Sequence, residues 1–147
     1  MYADYTFYTD EFYGTVIEET DFPRLSSRAS DFIDYYTRGK AAHVPESDTS
    51  VNTALAKACC AIAEAIQAVE QEKALAAKAV TDALDSDTGA LKSETVGSYS
   101  VSYATASDYM KDNAAEALKN ARAQFAAIAM EYLVNTGLLY RGGGCCR

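Results

Sequence analysis

At 147 residues, 49% of them hydrophobic, the chain is long enough for one domain with a real core. A formal net charge of -8 argues against non-specific binding of a phosphate backbone by the bulk of the surface. No stretch is long and apolar enough to span a bilayer, no secretory leader opens the chain, and cysteine comes as two adjacent pairs, Cys59–Cys60 and Cys145–Cys146. The expectation is an intracellular protein with free thiols and no membrane partner.

Residues 1–20, MYADYTFYTDEFYGTVIEET, mix aromatics with acids in no regular period. Two readings stay open: an N-terminal arm packed across the helices of its own chain, or an arm reaching a neighbouring subunit. Gly14 suggests a turn. Residues 1–23 carry Asp4, Asp10, Glu11, Glu18, Glu19 and Asp21 and no lysine or arginine, whereas the tail after Gly137 carries Arg141 and Arg147. Eleven tyrosines against five phenylalanines and no tryptophan tilt the composition toward interfaces, because tyrosine joins a rigid apolar body to a polar tip.

Phe22, Leu25, Ala29, Phe32, Ile33 and Tyr36 recur at spacings of three and four, which predicts a helix over about 22–38. Pro23 suits its first turn and Gly39 its stop. A loop follows over 40–50, with Pro45 inside it. A second helix begins at a cap among Asp48 to Ser50, with Val51, Leu55, Ala58, Cys59, Ile62, Ile66 and Val69 as its stripe. The pattern weakens across the polar patch 70–73 and resumes through Leu75, Ala79, Val80 and Leu84. It leaves open whether 51–85 is one helix or two.

Residues 89–103, GALKSETVGSYSVSY, break from helix. Tyr99, Val101 and Tyr103 share one parity, and Ser98, Ser100 and Ser102 share the other, the period of an extended segment. Gly97 suggests a bulge, a turn or a close backbone approach. The segment reads either as a linker covering the core or as an arm for contact between subunits. After possible caps at Thr105 and Ser107, the last helix is expected over about 108–136, with an early break near Asn113 left open. Its buried face is Leu118, Ala121, Phe125, Ile128, Ala129, Tyr132 and Leu133, and Gly137 ends it. Leu138, Leu139, Tyr140 and Arg141 then either finish the helix packing or anchor a partner, since Tyr and Arg are common interface anchors. Residues 142–147 read as a flexible tail. The fold class is mainly α: a small helical bundle over 1–141 with one extended loop or β-like arm between the long central helix and the C-terminal helix.

No pattern carries local chemistry. His43 stands alone in a loop beside Pro45 and reads as a surface residue. Cys59 and Cys60 are adjacent on a helix, so they diverge by about 100° and cannot clasp one metal as a spaced pair does. At least one of them is expected to fill the core. There is no nucleophile elbow, no zinc-binding His-Glu-x-x-His, no calcium loop and no phosphate loop. The expectation is a protein that is not an enzyme, with no cofactor, no metal and no catalytic residues.

Four runs in order, 22–41 (FPRLSSRASDFIDYYTRGKA), 57–66 (KACCAIAEAI), 92–103 (KSETVGSYSVSY) and 131–142 (EYLVNTGLLYRG), resemble the head–tail connector, or adaptor, family of tailed bacteriophages. The resemblance covers roughly 20–142. It implies a mostly helical structural virion protein that forms a ring, typically twelve-fold, beneath the portal. The ring extends the DNA channel, offers a platform for the stopper or tail-completion protein, and lets DNA pass without sequence-specific binding. The loop of Ser93, Glu94, Val96, Gly97, Tyr99, Val101 and Tyr103 would lie between subunits or near the channel. The segment Leu138, Leu139, Tyr140 and Arg141 would face the portal. Localisation would be the head–tail interface of the virion, and the host cytoplasm during assembly.

The acidic balance fits a conduit to which DNA must not stick. Within such a ring, candidate partner surfaces are the acidic N-terminal region of one copy and basic or aromatic groups of the next. Isolated chains could remain monomers until the portal templates them. Two rivals stand beside this reading: a stopper-like or other tail-completion protein, and an enzyme whose site leaves no local signal.

Overall fold

The computed structural model describes residues 1–85, 93–96, 99–102 and 106–140. The chain is mainly α, with helices α1 (Tyr5–Asp10), α2 (Phe22–Thr37), α3 (Thr49–Asp85) and α4 (Ala106–Leu133). Strands β1 (Ser93–Val96) and β2 (Tyr99–Ser102) pair antiparallel between α3 and α4. The chain divides into two compact units, one of Met1–Ala68 with Arg122–Arg147 and one of Val69–Ala121.

In the first unit the N-terminal residues form structure that their irregular spacing hid. Asp4 caps α1 by accepting the Phe7 N–H at 2.8 Å. Tyr8 is fully buried, with its ring 5.0 Å from Phe22 and 5.9 Å from Phe12. Residues 2–3 are tied to α2 by polar groups one turn apart. Ser26 Oγ donates to the Ala3 carbonyl at 2.9 Å, and the Tyr2 N–H donates to Ser30 Oγ at 3.2 Å. The Tyr2 hydroxyl donates to Asp34, which with burial pushes its pKa upward. The N-terminal segment therefore packs on its own chain, as the first of the two readings expected.

α2 follows its expected stripe, with Phe22, Leu25, Ala29 and Ile33 buried and Phe32 and Tyr36 half-buried. Pro23 lies in the first turn, where its missing N–H is no loss. The stop is shared: Arg38 is left-handed (φ 55°) and so is Gly39 (φ 74°). The Gly39 N–H reaches back to the Asp34 carbonyl at 2.8 Å and the Arg38 N–H to Tyr35 at 3.3 Å, the crossed pair of a Schellman closure.

α3 is one helix of 37 residues. The polar patch 70–73 does not break it, because Glu, Gln and Lys are strong helix formers and no glycine or proline intervenes. Asp48 is the capping side chain, accepting the Val51 N–H at 3.4 Å. Leu55, Ala58, Cys59, Cys60, Ile62 and Ile66 are buried, so both cysteines lie in the core.

α4 is likewise one helix, unbroken at Asn113, with Ser107 inside it and not at its cap. Ala121, Phe125, Ala129 and Leu133 are buried. Leu118, expected on that face, is 45% exposed. The stripe rule assumed a covering surface along the whole helix. Contacts with α2 are made at Arg122, whose carbonyl accepts the Tyr36 hydroxyl at 2.7 Å, and at Phe125, 5.0 Å from Phe32 between ring centres. Leu75 is also exposed, at 68%. A short 3-10 turn, Val134–Thr136, ends at Gly137 in the left-handed conformation (φ 73°), which supplies the expected stop.

Candidate functional site

The residues singled out by sequence fall into two groups, one in each compact unit. In the second unit, Ser93, Glu94 and Val96 lie on β1, and Tyr99 and Val101 lie on β2. The register sets Glu94 opposite Val101, Val96 opposite Tyr99, Ser93 opposite Ser102 and Thr95 opposite Ser100. An antiparallel pair places opposed residues on the same face of the ribbon, so cross-strand partners are matched by parity. Gly97 and Tyr103 lie outside the described residues, as do Arg141 and the tail 142–147. Earlier and later in the chain than the ribbon, residues 71–78 of α3 and 116–120 of α4 are all exposed.

In the first unit, Leu138 and Leu139 are half-buried while Tyr140 is 70% exposed. Their backbone is held locally. Thr136 Oγ1 donates to the Leu133 carbonyl at 2.7 Å and accepts the Leu138 N–H at 3.3 Å. The Tyr140 N–H donates to Gly137 at 3.1 Å. Lys40 Nζ donates to the Tyr140 carbonyl at 2.6 Å, fixing the end of the described chain to the turn after α2. The two leucines are thus half-buried on a locally bonded turn, and the tyrosine side chain is exposed.

A third feature was not singled out by sequence. Arg28, Asp31, Phe32, Tyr35, Tyr36 and Arg122 line a cleft of about 450 Å³ between α2 and the end of α4 that belongs to the same unit. Tyr35 is 77% exposed and meets Tyr36 edge to face at 5.4 Å. Burial, and then the neighbouring Tyr35, push the Tyr36 hydroxyl pKa up, against a smaller opposing pull from Arg122. The signal was present: Arg28, Asp31 and Tyr35 follow at three and four, a second stripe on α2 beside the apolar one. Only the fold supplies Arg122.

Other reactive groups are quiet. Cys59 contacts Ser26 and Ser30 Oγ at 3.5 and 3.6 Å. Cys60 is pushed up to about 12 by burial, with smaller contributions from Cys59, Glu64 and Asp4, which keeps it a neutral thiol. His43 is exposed on the 3-10 turn Ala41–His43. Among the described residues no three His, Cys, Asp or Glu converge to hold a metal ion, and no helix is long and apolar enough to cross a membrane. No protein-family model, curated protein or solved structure matches the chain.

Proposed function

We propose that this protein is a head–tail connector of a tailed bacteriophage. Copies form a ring beneath the portal, extend the DNA channel and present a platform to the stopper or tail-completion protein. The function is positional, without enzymatic turnover. It is exercised at the head–tail interface of the virion, after assembly in the host cytoplasm.

One observation carries the reading beside the four resembling runs: a two-stranded ribbon that follows α3 and precedes α4 in the chain, in a unit where residues 71–78 and 116–120 of those helices are exposed in the single chain. A lone two-stranded ribbon is at best marginally stable in water, and its outer edges leave backbone groups unpaired. Leu75 on α3 and Leu118 on α4 add exposed apolar area elsewhere in the same compact unit. A ribbon of this kind suits a surface completed by neighbouring copies. The exposed Tyr140, with Arg141 after it, supplies the portal-facing anchor in this reading. The net charge of -8 suits a channel wall along which DNA slides.

Electron microscopy of the protein mixed with its cognate portal tests the proposal. A coaxial ring on the portal, formed before any tail protein is added, is the expected result. Absence of binding to portal, or binding only once a connector is already seated there, would replace it with the stopper-like reading.

A further inference from the structure

We propose that the Arg28–Tyr36–Arg122 cleft receives the acidic loop Tyr13–Glu19 of a second copy of this chain, making a head-to-tail joint. The inference rests on the reading that copies associate, and it names the surfaces that meet. The cleft offers three aromatic side chains, Phe32, Tyr35 and Tyr36, flanked by two arginines against one aspartate. The loop offers the complement. Tyr13 is 80% exposed and Val16 58%, and Glu18 and Glu19 are exposed beside them. No lysine or arginine occurs before Arg24 to blunt that charge.

The loop is also held in shape before any contact. Val16 and Ile17 donate their N–H groups to the Tyr8 hydroxyl at 3.0 and 3.1 Å, and Gly14 donates to the Tyr8 carbonyl at 2.8 Å. The Glu18 carbonyl accepts from Asp21 and Phe22 at 3.1 and 3.0 Å. A loop already ordered loses little entropy on docking.

Its own cleft is out of reach. The loop ends just before α2 begins, and the cleft runs from Arg28 to Tyr36, about 9 to 21 Å along that helix at 1.5 Å per residue. A loop pinned to Tyr8 beside the start of α2 does not swing onto a cleft centred on the second half of that helix. They meet between chains, and a contact of two different patches closes into a ring when its rotation divides the circle.

The test uses full-length protein and two variants altered at exposed positions. Tyr35→Ala/Arg122→Ala disables the cleft, and Glu18→Gln/Glu19→Gln disables the loop. Circular dichroism and melting temperature should match the wild type for both. In sedimentation velocity at rising concentration, the wild type should grow into species beyond the dimer. Each variant alone should associate about tenfold more weakly. Their equimolar mixture should stop at a one-to-one pair, since one good loop meets one good cleft and the remaining ends are dead.

A wild type that stays monomeric to about 1 mM overturns the proposal. So do variants that associate like the wild type, and a mixture that pairs no more tightly than either variant alone. Portal rings unaffected by either variant would sink this joint and leave the connector reading standing. The one-to-one pair without any portal binding would do the reverse.

Discussion

The Tyr8 hydroxyl donates to the Glu64 carboxylate of α3 at 2.8 Å while accepting the Val16 and Ile17 N–H groups at 3.0 and 3.1 Å. One fully buried atom group thus joins α1, the acidic loop and the longest helix. Tyr8→Phe keeps the ring and removes all three bonds. It leaves the buried Ile17 N–H without its acceptor, and should destabilise by about 1–3 kcal/mol in urea unfolding.

Gly14 lies against the same ring for a steric reason. A Cβ there would stand 2.0 Å from Tyr8 Cε2. The ring is fully buried and cannot swing away. Gly14→Ala should therefore cost about 3 kcal/mol or more by overpacking, seen as a lowered melting temperature. Equal stability of the variant would show that the loop does not sit on Tyr8.

The two leucines of α4 separate its covered part from its uncovered part. Leu133 is fully buried, and Leu133→Ala should lose about 2–5 kcal/mol. Leu118 is 45% exposed, and Leu118→Ala should stay within about 0.5 kcal/mol of wild type in the isolated chain. In the ring proposed above, the same Leu118 substitution should weaken association.

Stability should fall on the alkaline side. Cys60 is raised from 9.0 to about 12, and Tyr8, Tyr36 and Tyr132 are raised from 10.0, each mainly by burial. The folded chain therefore holds these protons more tightly than the unfolded chain. Their stabilisation is complete below about pH 9 and is lost as pH rises toward 12. Denaturation midpoints measured from pH 8 to pH 11 should decline. In a Cys145→Ser/Cys146→Ser background, a thiol reagent at pH 8 should find no reactive cysteine until the protein unfolds.

The ribbon can be tested by exchange. Replacing residues 93–102 with a glycine–serine linker of equal length should leave the first compact unit folded, with its buried Phe22, Ile62 and Phe125 intact. The same change should abolish ring formation on portal. Rings of unchanged order and diameter would remove the ribbon from the proposed interface.

Where one periodic stripe meets one continuous cover, the residues alone were sufficient. Phe22, Leu25, Ala29 and Ile33, then Leu55, Ile62 and Ile66, then Phe125, Ala129 and Leu133 are buried as their spacing requires, with Phe32, Ile128 and Tyr132 half-buried at the stripe edges, because a helix must hide its apolar side whatever hides it. Gly137, and a cap within Asp48 to Ser50 that the structure assigns to Asp48, were legible as boundaries because capping and left-handed backbone depend on a few adjacent residues.

The tertiary structure decided what depends on residues distant in the chain. Ser26 and Ser30 look like neutral helix positions until Tyr2 and Ala3 arrive to bond them. Tyr8 shows no period in a six-residue helix, and its burial comes from Phe22 and Glu64. Leu118 fits the stripe but not the cover, since periodicity says which side is apolar and not how far a neighbour extends. The cleft needs Arg122 brought to Tyr36 across 86 residues, a distance no local pattern can encode.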